Sequence, residues 1–192
     1  MGKSFIRDVE FSADGNYFYY AFETLAAAAL RVDVFRVPLL GGQPEKIVED
    51  LLKGFSLSPD GKKIAFVREH PSPDEFKLIL FDLQTKEERV LISAKDRDFQ
   101  TVAFSPDGTK IGVLASDAYG DNLYKLNWIS ADGGELRKIS DAALKWGANF
   151  GWLSDGSGLV VAAQFPDGSP NNAVVSAKLL PMGSKALLQI SY

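Results

Sequence analysis

The 192-residue chain contains no cysteine, one histidine and two methionines. Without cysteine there is no disulfide, no thiolate metal site and no cysteine nucleophile, and the compartment stays open between periplasm and cytoplasm. A single histidine, His70, excludes the histidine sets that hold zinc. It lies in the Pro-rich stretch 69–75, and no Gly-x-Ser-x-Gly elbow accompanies it, so no serine-hydrolase triad is indicated. No apolar run approaches the ~18 residues of a membrane-crossing helix. The opening Met1-Gly2-Lys3-Ser4-Phe5 lacks the pattern of a secretory signal, and Ile6 stands where a myristoylation signal needs Ser or Thr. The net charge is −4, the pI is near 5.1, and the basic residues are scattered. This gives no footprint for nucleic acid or an anionic membrane. The glycines sit in turns rather than in a phosphate loop. Asp117-Ala118-Tyr119-Gly120-Asp121-Asn122 lacks the spacing and closing Glu of a calcium loop. No cofactor and no metal are expected.

What the chain does have is one phrase said four times. Val102-Ala103-Phe104-Ser105-Pro106-Asp107-Gly108-Thr109-Lys110-Ile111 reads as strand, tight turn, strand. Pro presets φ, Asp bonds its own backbone, and Gly takes the left-handed position that closes the hairpin. The other copies centre on Asp14-Gly15, Asp60-Gly61 and Asp155-Gly156. The aspartates are 46, 47 and 48 residues apart. Their regular return marks them as turn formers rather than a catalytic set. A period in the forties with several strands per unit predicts the blades of a β-propeller. The strands after each turn, such as Leu159-Val160-Val161-Ala162-Ala163, are apolar at nearly every position, as strands buried on both faces are. The expected fold is all-β: about four blades of four antiparallel strands, near 5–49, 50–95, 96–140 and 141–192, forming an arc of a larger ring.

Within this plan, residues 23–30 are helical by propensity but too few to stand alone, and are expected as a connecting loop with at most one helical turn. The fourth unit admits two readings. In one, residues 173–179 and 185–191 are its third and fourth strands. In the other, residues 186–192 are strand three and the chain stops inside the blade.

The repeats resemble the TolB-like family of WD-type β-propellers, whose signature is an aromatic residue, Ser-Pro-Asp-Gly, Lys and an apolar strand. Residues 57–62 and 104–110 match it closely, and residues 11–15 and 152–156 match with changes. The phrases at 34–42 and 152–159 are similar to a subgroup in which the propeller follows a serine/threonine kinase domain or a winged-helix domain in large bacterial proteins. In that subgroup a stretch like Leu188-Gln189-Ile190-Ser191-Tyr192 precedes another strand, which favours the unfinished fourth blade.

Successive turns sort the connections onto two ends. The Asp-Gly turns are short and alike; the loops at the other end are long and varied, and loops on a rigid scaffold are where function collects. Asp96, Arg97, Asp98 and Phe99, then Lys145 and Trp146, and Tyr119 with Asp121, are the candidates there. Arg97 between two aspartates suits a carboxylate or a peptide backbone, and Trp146 suits an interface anchor. The simpler view, which weighs more for any one of them, makes them a solvated connector and a core cover.

The function expected is a non-enzymatic sensor or docking module that binds a protein or peptide as part of a larger bacterial protein. Self-association through open blade edges is a further expectation, because each repeat buries its faces only against neighbours. The alternative is the substrate-gating propeller of a prolyl-oligopeptidase-like serine peptidase, separated from its hydrolase domain. A free hydrolase or lyase using Asp96 and Asp98 has little behind it, since two such carboxylates on one loop have no reason to acquire distinct pKa values.

Overall fold

The four Asp-Gly corners close four hairpins of nearly identical geometry in the computed structural model, which describes residues 4–26, 29–70, 75–145, 147–164, 166, 173–178 and 188–190. Gly15, Gly61, Gly108 and Gly156 all have φ between 69° and 71°, the left-handed region that disfavours a side chain. Ser12, Ser58 and Ser105 each donate Oγ–H to the turn aspartate Oδ1 at 2.6 Å. That oxygen also accepts the N–H two residues on, from Asn16, Lys62 and Thr109. These bonds hold Asp14 and Asp107 down to about 2, the serine hydroxyl contributing most, so the turns stay charged. In the fourth corner Leu153 stands in the serine position, and Asp155 accepts the Ser157 N–H.

The hairpins extend into four antiparallel sheets in chain order. Sheet one contains β1 (Ser4–Phe11), β2 (Tyr17–Ala26), β3 (Ala29–Pro38) and β4 (Glu45–Leu51). Sheet two contains β5 (Phe55–Leu57), β6 (Lys63–His70), β7 (Glu75–Asp82) and β8 (Glu88–Ala94). Sheet three contains β9 (Phe99–Phe104), β10 (Lys110–Ser116), β11 (Leu123–Ser130) and β12 (Arg137–Lys138). A short β13 (Leu144–Lys145) also pairs with β11, so residues expected in the fourth unit complete the third. Sheet four contains β14 (Asn149–Trp152), β15 (Gly158–Ala163), β16 (Ala173–Lys178) and β17 (Leu188–Ile190).

Two expectations change. Residues 23–30 form no helical turn where described: β2 and β3 stay paired as far as Leu25↔Leu30 and Ala26↔Ala29. The β2–β3 ladder runs over ten registered pairs and bonds backbone groups across the hairpin, which outweighs helix propensity in so short a segment. Residues 27 and 28 lie outside the described set. In the fourth unit, β17 pairs with β16 at Val175↔Ile190, Ser176↔Gln189 and Ala177↔Leu188. Residues 173–178 and 188–190 thus pair as third and fourth strands, as in the first of the two readings.

The sheets stack face to face in order, with β1 against β5, β5 and β6 against β9, and β9 against β14. Alternate residues of one strand enter different cores. Ile64 and Phe66 of β6 pack with Tyr19, Ala21 and Phe55 between sheets one and two. Ala65 and Val67 pack with Val102, Ile111 and Val113 between sheets two and three. A third core, with Leu114, Tyr124, Phe150 and Leu159, lies between sheets three and four. This is why the inner strands are apolar throughout. Neighbouring corners lie close: a Cβ placed on Gly61, Gly108 or Gly156 would come within about 4 Å of Ala13, Pro59 or Pro106 of the preceding corner.

Candidate functional site: an axial cavity

Strands β1, β5, β9 and β14 lead their sheets and lie side by side. Their exposed flank bounds a cavity of about 770 Å³. That volume suits a small ligand or a short stretch of peptide. β1 brings Arg7, Asp8 and Glu10 to it, β2 brings Glu23, the 52–54 connector brings Lys53, and β9 brings Gln100. Phe55, Val102 and Phe150 supply apolar wall.

The carboxylates of β1 tie sheet one to sheet two. Asp8 Oδ2 accepts the Phe55 N–H at 3.4 Å, and Glu10 Oε2 accepts the Leu57 N–H at 2.7 Å. Burial raises both carboxyl groups. Glu10 is pushed up to about 7: desolvation raises it most, the Leu57 N–H opposes, and the neighbouring Asp8 charge raises it further. Arg7 pairs with the buried Glu23. Burial lowers the Lys53 ammonium, with the Arg7 charge adding to the effect and Asp98 opposing it. Gln100 is buried; its Nε2–H donates to the Tyr124 hydroxyl at 3.1 Å, which in turn donates to Asp98 Oδ2 at 2.8 Å. Among the described residues, Gln100 Oε1 is the buried side-chain oxygen left without a donor. A buried acceptor in that state calls for a water or a ligand group.

Of the residues singled out from the sequence, Asp96, Arg97, Asp98, Phe99, Tyr119 and Lys145 are described, and none of these lines the cavity. Trp146 lies outside the described residues. Two need correction as surface contacts. Asp98 is buried, accepting from Ser116 Oγ and the Tyr124 hydroxyl. Phe99 is wholly buried between sheets two and three. Asp98 is held inward by the Ser116 and Tyr124 hydroxyls, and Phe99 opens β9 inside the core. Asp96 and Arg97 pair with each other at 3.2 Å, and the Tyr119 N–H donates to the Asp96 carbonyl, so these three share one rim. Tyr119 packs its ring on Phe76 at 5.7 Å. Lys145 is exposed on β13. Asp121 is exposed and accepts the Leu123 N–H, a local turn bond.

Sequence reasoning passed over the cavity residues although a signal exists. Six and four residues before each turn aspartate stand Asp8 and Glu10, Gly54 and Ser56, Thr101 and Ala103, and Asn149 and Gly151. One face of every leading strand is polar or small, at period two, beside an apolar face.

No protein-family profile matches the chain, and no curated protein sequence matches it. Solved structures do. TolB from Acinetobacter baumannii superposes with a TM-score of 0.69 at 15% identity, over 98% of this chain and 44% of that one. The β-propeller domain of the Trilobed protease from Pyrococcus furiosus, described as having an open velcro topology, superposes with a TM-score of 0.66 at 16% identity, over 100% of this chain and 58% of that one. A chain of the nidogen/laminin complex matches with a TM-score of 0.70 at 16% identity, over 97% of this chain and 66% of that one. The fold is that of a β-propeller, shared with TolB. The chain spans about half the length of the first two of these chains. Among the described residues no group of three or more acidic or histidine side chains is placed to hold a metal ion, and no helix is long and apolar enough to cross a membrane.

Proposed function

We propose that this propeller is a non-catalytic docking module that holds an extended protein or peptide segment in the axial cavity, as the sensor part of a larger bacterial protein. The observation that carries the reading is the cavity itself, walled by four leading strands and lined in part by Gln100, whose buried Oε1 finds no donor among the described residues. Peptide N–H groups are the donors an extended segment offers along its length. The carboxylates on the wall are engaged in bonds between sheets one and two, which favours a structural over a chemical task. TolB and a propeller from the nidogen/laminin complex share the fold, which is consistent with a protein-binding role. Arg97 and Tyr119 are proposed as a second contact outside the cavity. The kinase or winged-helix setting rests on the repeat phrases at 34–42 and 152–159.

A displayed peptide library selected on the 192-residue chain tests this, with Gln100→Ala, Glu10→Gln and Arg97→Ala as variants. Selected peptides should weaken by about tenfold or more on Gln100→Ala, the scale of a lost buried hydrogen bond. Peptides that bind all three variants as well as the parent would contradict the site. The gating reading draws on the Trilobed protease propeller, which matches over the whole of this chain. A hydrolase module with a nucleophile elbow in the parent reading frame would favour it over the docking role.

A further inference from the structure

The tetrapeptide Ser-Ala-Asp-Gly occurs twice in the chain, at residues 12–15 and 130–133, and the two copies are bonded differently. Both close a turn in which the glycine has a positive φ and its N–H donates to the serine carbonyl at 2.9 Å. In the first copy Ser12 Oγ–H donates to Asp14 Oδ1 at 2.6 Å, and Asn16 donates to both carboxylate oxygens. In the second, Ser130 Oγ instead accepts the Asp132 N–H at 3.1 Å. The Arg89 guanidinium reaches this turn from β8 of sheet two. It donates to the Ala131 and Asp132 carbonyls at 2.7 and 2.8 Å.

An aspartate followed by glycine can react with its own backbone, because no side chain shields the glycine nitrogen. A bond forms between the aspartate Cγ and that nitrogen, and a Cγ–O bond breaks. The hydroxyl leaves with the N–H proton as water, and a five-membered imide remains. Water then adds to one of the two imide carbonyls. Opening at the former backbone carbonyl gives isoaspartate, whose chain runs through Cβ and Cγ. The first step needs a neutral carboxyl, since a carboxylate repels attack and has no hydroxyl to expel. It also needs an acidic amide N–H.

The serine-held corners withhold the first requirement. The serine hydroxyl, then the N–H two residues on, hold Asp14 and Asp107 at about 2. Against 3.8 for aspartate in solution, the neutral form is scarcer by roughly 60-fold. The Ser58 hydroxyl lowers Asp60 in the same direction. At the second copy, Arg89 supplies the second requirement. The Asp132 carbonyl and the Gly133 nitrogen belong to one peptide unit. A guanidinium on the oxygen draws electron density from the nitrogen and makes its N–H more acidic. The remaining Asp-Gly pairs differ from both: Leu153 stands in the serine position before Asp155, and 167–168 lie outside the described residues.

We propose that Asp132-Gly133 is a self-modification site, where the turn rearranges to isoaspartate with Arg89 activating the amide, and that the serine hydroxyls protect Asp14, Asp60 and Asp107 from the same reaction. The product carries a free α-carboxylate beside Arg89 and one extra backbone atom in the turn after β11. The outer contact between sheets two and three is thereby rebuilt.

Ageing the folded 192-residue chain at pH 6 in water enriched in oxygen-18 tests this, with isoaspartate mapped by mass spectrometry and by resistance to Asp-N protease. Isoaspartate at 132 should carry one heavy oxygen and accumulate about tenfold or more faster than at 14, 60 or 107. In the urea-unfolded chain the two Ser-Ala-Asp-Gly copies should react at similar rates, because their difference is structural. Arg89→Gln, which removes the charge, should slow the reaction at Asp132 by about threefold or more and leave the corners unchanged. Ser12→Ala should speed the reaction at Asp14 by about tenfold or more, and Ser12→Thr, which keeps the hydroxyl, should not. Equal rates at 14 and 132 in the folded chain overturn the proposal, as does an Arg89→Gln chain that reacts like the parent. Isoaspartate at 132 without heavy oxygen overturns it as well.

Discussion

The contact between sheets one and two and the contact between sheets three and four occupy the same place in the repeat, yet they are held by different chemistry. At four residues before the turn, the first uses the Glu10 carboxylate, which accepts the Leu57 N–H across the boundary at 2.7 Å. The second has Ala103 there, whose carbonyl accepts the Trp152 indole N–H at 2.9 Å. Between them, Ser56 Oγ accepts the Phe104 N–H at 3.1 Å. What persists is the bond between neighbouring leading strands, while the group supplying it varies. The first contact carries a carboxyl, Glu10, pushed up to about 7.

That contrast can be broken from either side. The largest effect is expected from Phe66→Ala, which empties the core between sheets one and two. Unfolding by denaturant should show a loss of about 3–5 kcal/mol. The second is a pH effect confined to the first contact. Glu10 titrates at about 7 when folded against 4.5 unfolded. Between those values the folded state binds the extra proton, so stability falls as pH rises, by up to about 3 kcal/mol. Urea midpoints at pH 5 and pH 8 should show the fall. Glu10→Gln, which still offers an acceptor to the Leu57 N–H, should flatten it, and a parent with equal midpoints would remove Glu10 from this role.

The third, Gly112→Ala, acts on the other contact. The new methyl would lie 2.7 Å from the Phe150 ring and 3.3 Å from Leu159. A loss of about 1–3 kcal/mol with no pH dependence is expected in the same assay. The smallest is Trp152→Phe, which keeps much of the ring and removes the indole N–H. About 1 kcal/mol should be lost. A much larger loss would mean that the indole, rather than apolar packing, holds sheet four in place.

The sequence showed the corners and the double-sided strands because both obey local rules. A left-handed glycine after aspartate and an unbroken apolar run each have one economical explanation, and the φ angles and split cores match it. It misled at residues 23–30, where Leu25 and Ala26 answer to cross-strand partners that lie on the opposing strand. It also misled at Asp98 and Phe99, where a connector ends and a strand begins: Asp98 is drawn in by the Ser116 and Tyr124 hydroxyls, partners distant in sequence, and Phe99 fills the core between sheets two and three. The cavity was written in the period-two polarity of the leading strands. Its meaning depended on four such strands meeting side by side, which no single repeat reveals.

The claim on which the account rests is that the four sheets follow one another around an axis. The chain has no cysteine, so single cysteines replacing the exposed Ala13, Pro59, Pro106 and Ser154, one before each turn aspartate, carry spin labels without background. Pairwise electron–electron distances would be measured with labelled chain diluted in unlabelled chain. The three neighbouring separations should be alike and short, and the separation from 13 to 154 the longest of the six. A 13-to-154 separation no longer than the neighbouring ones, or neighbours at unrelated distances, would contradict the account.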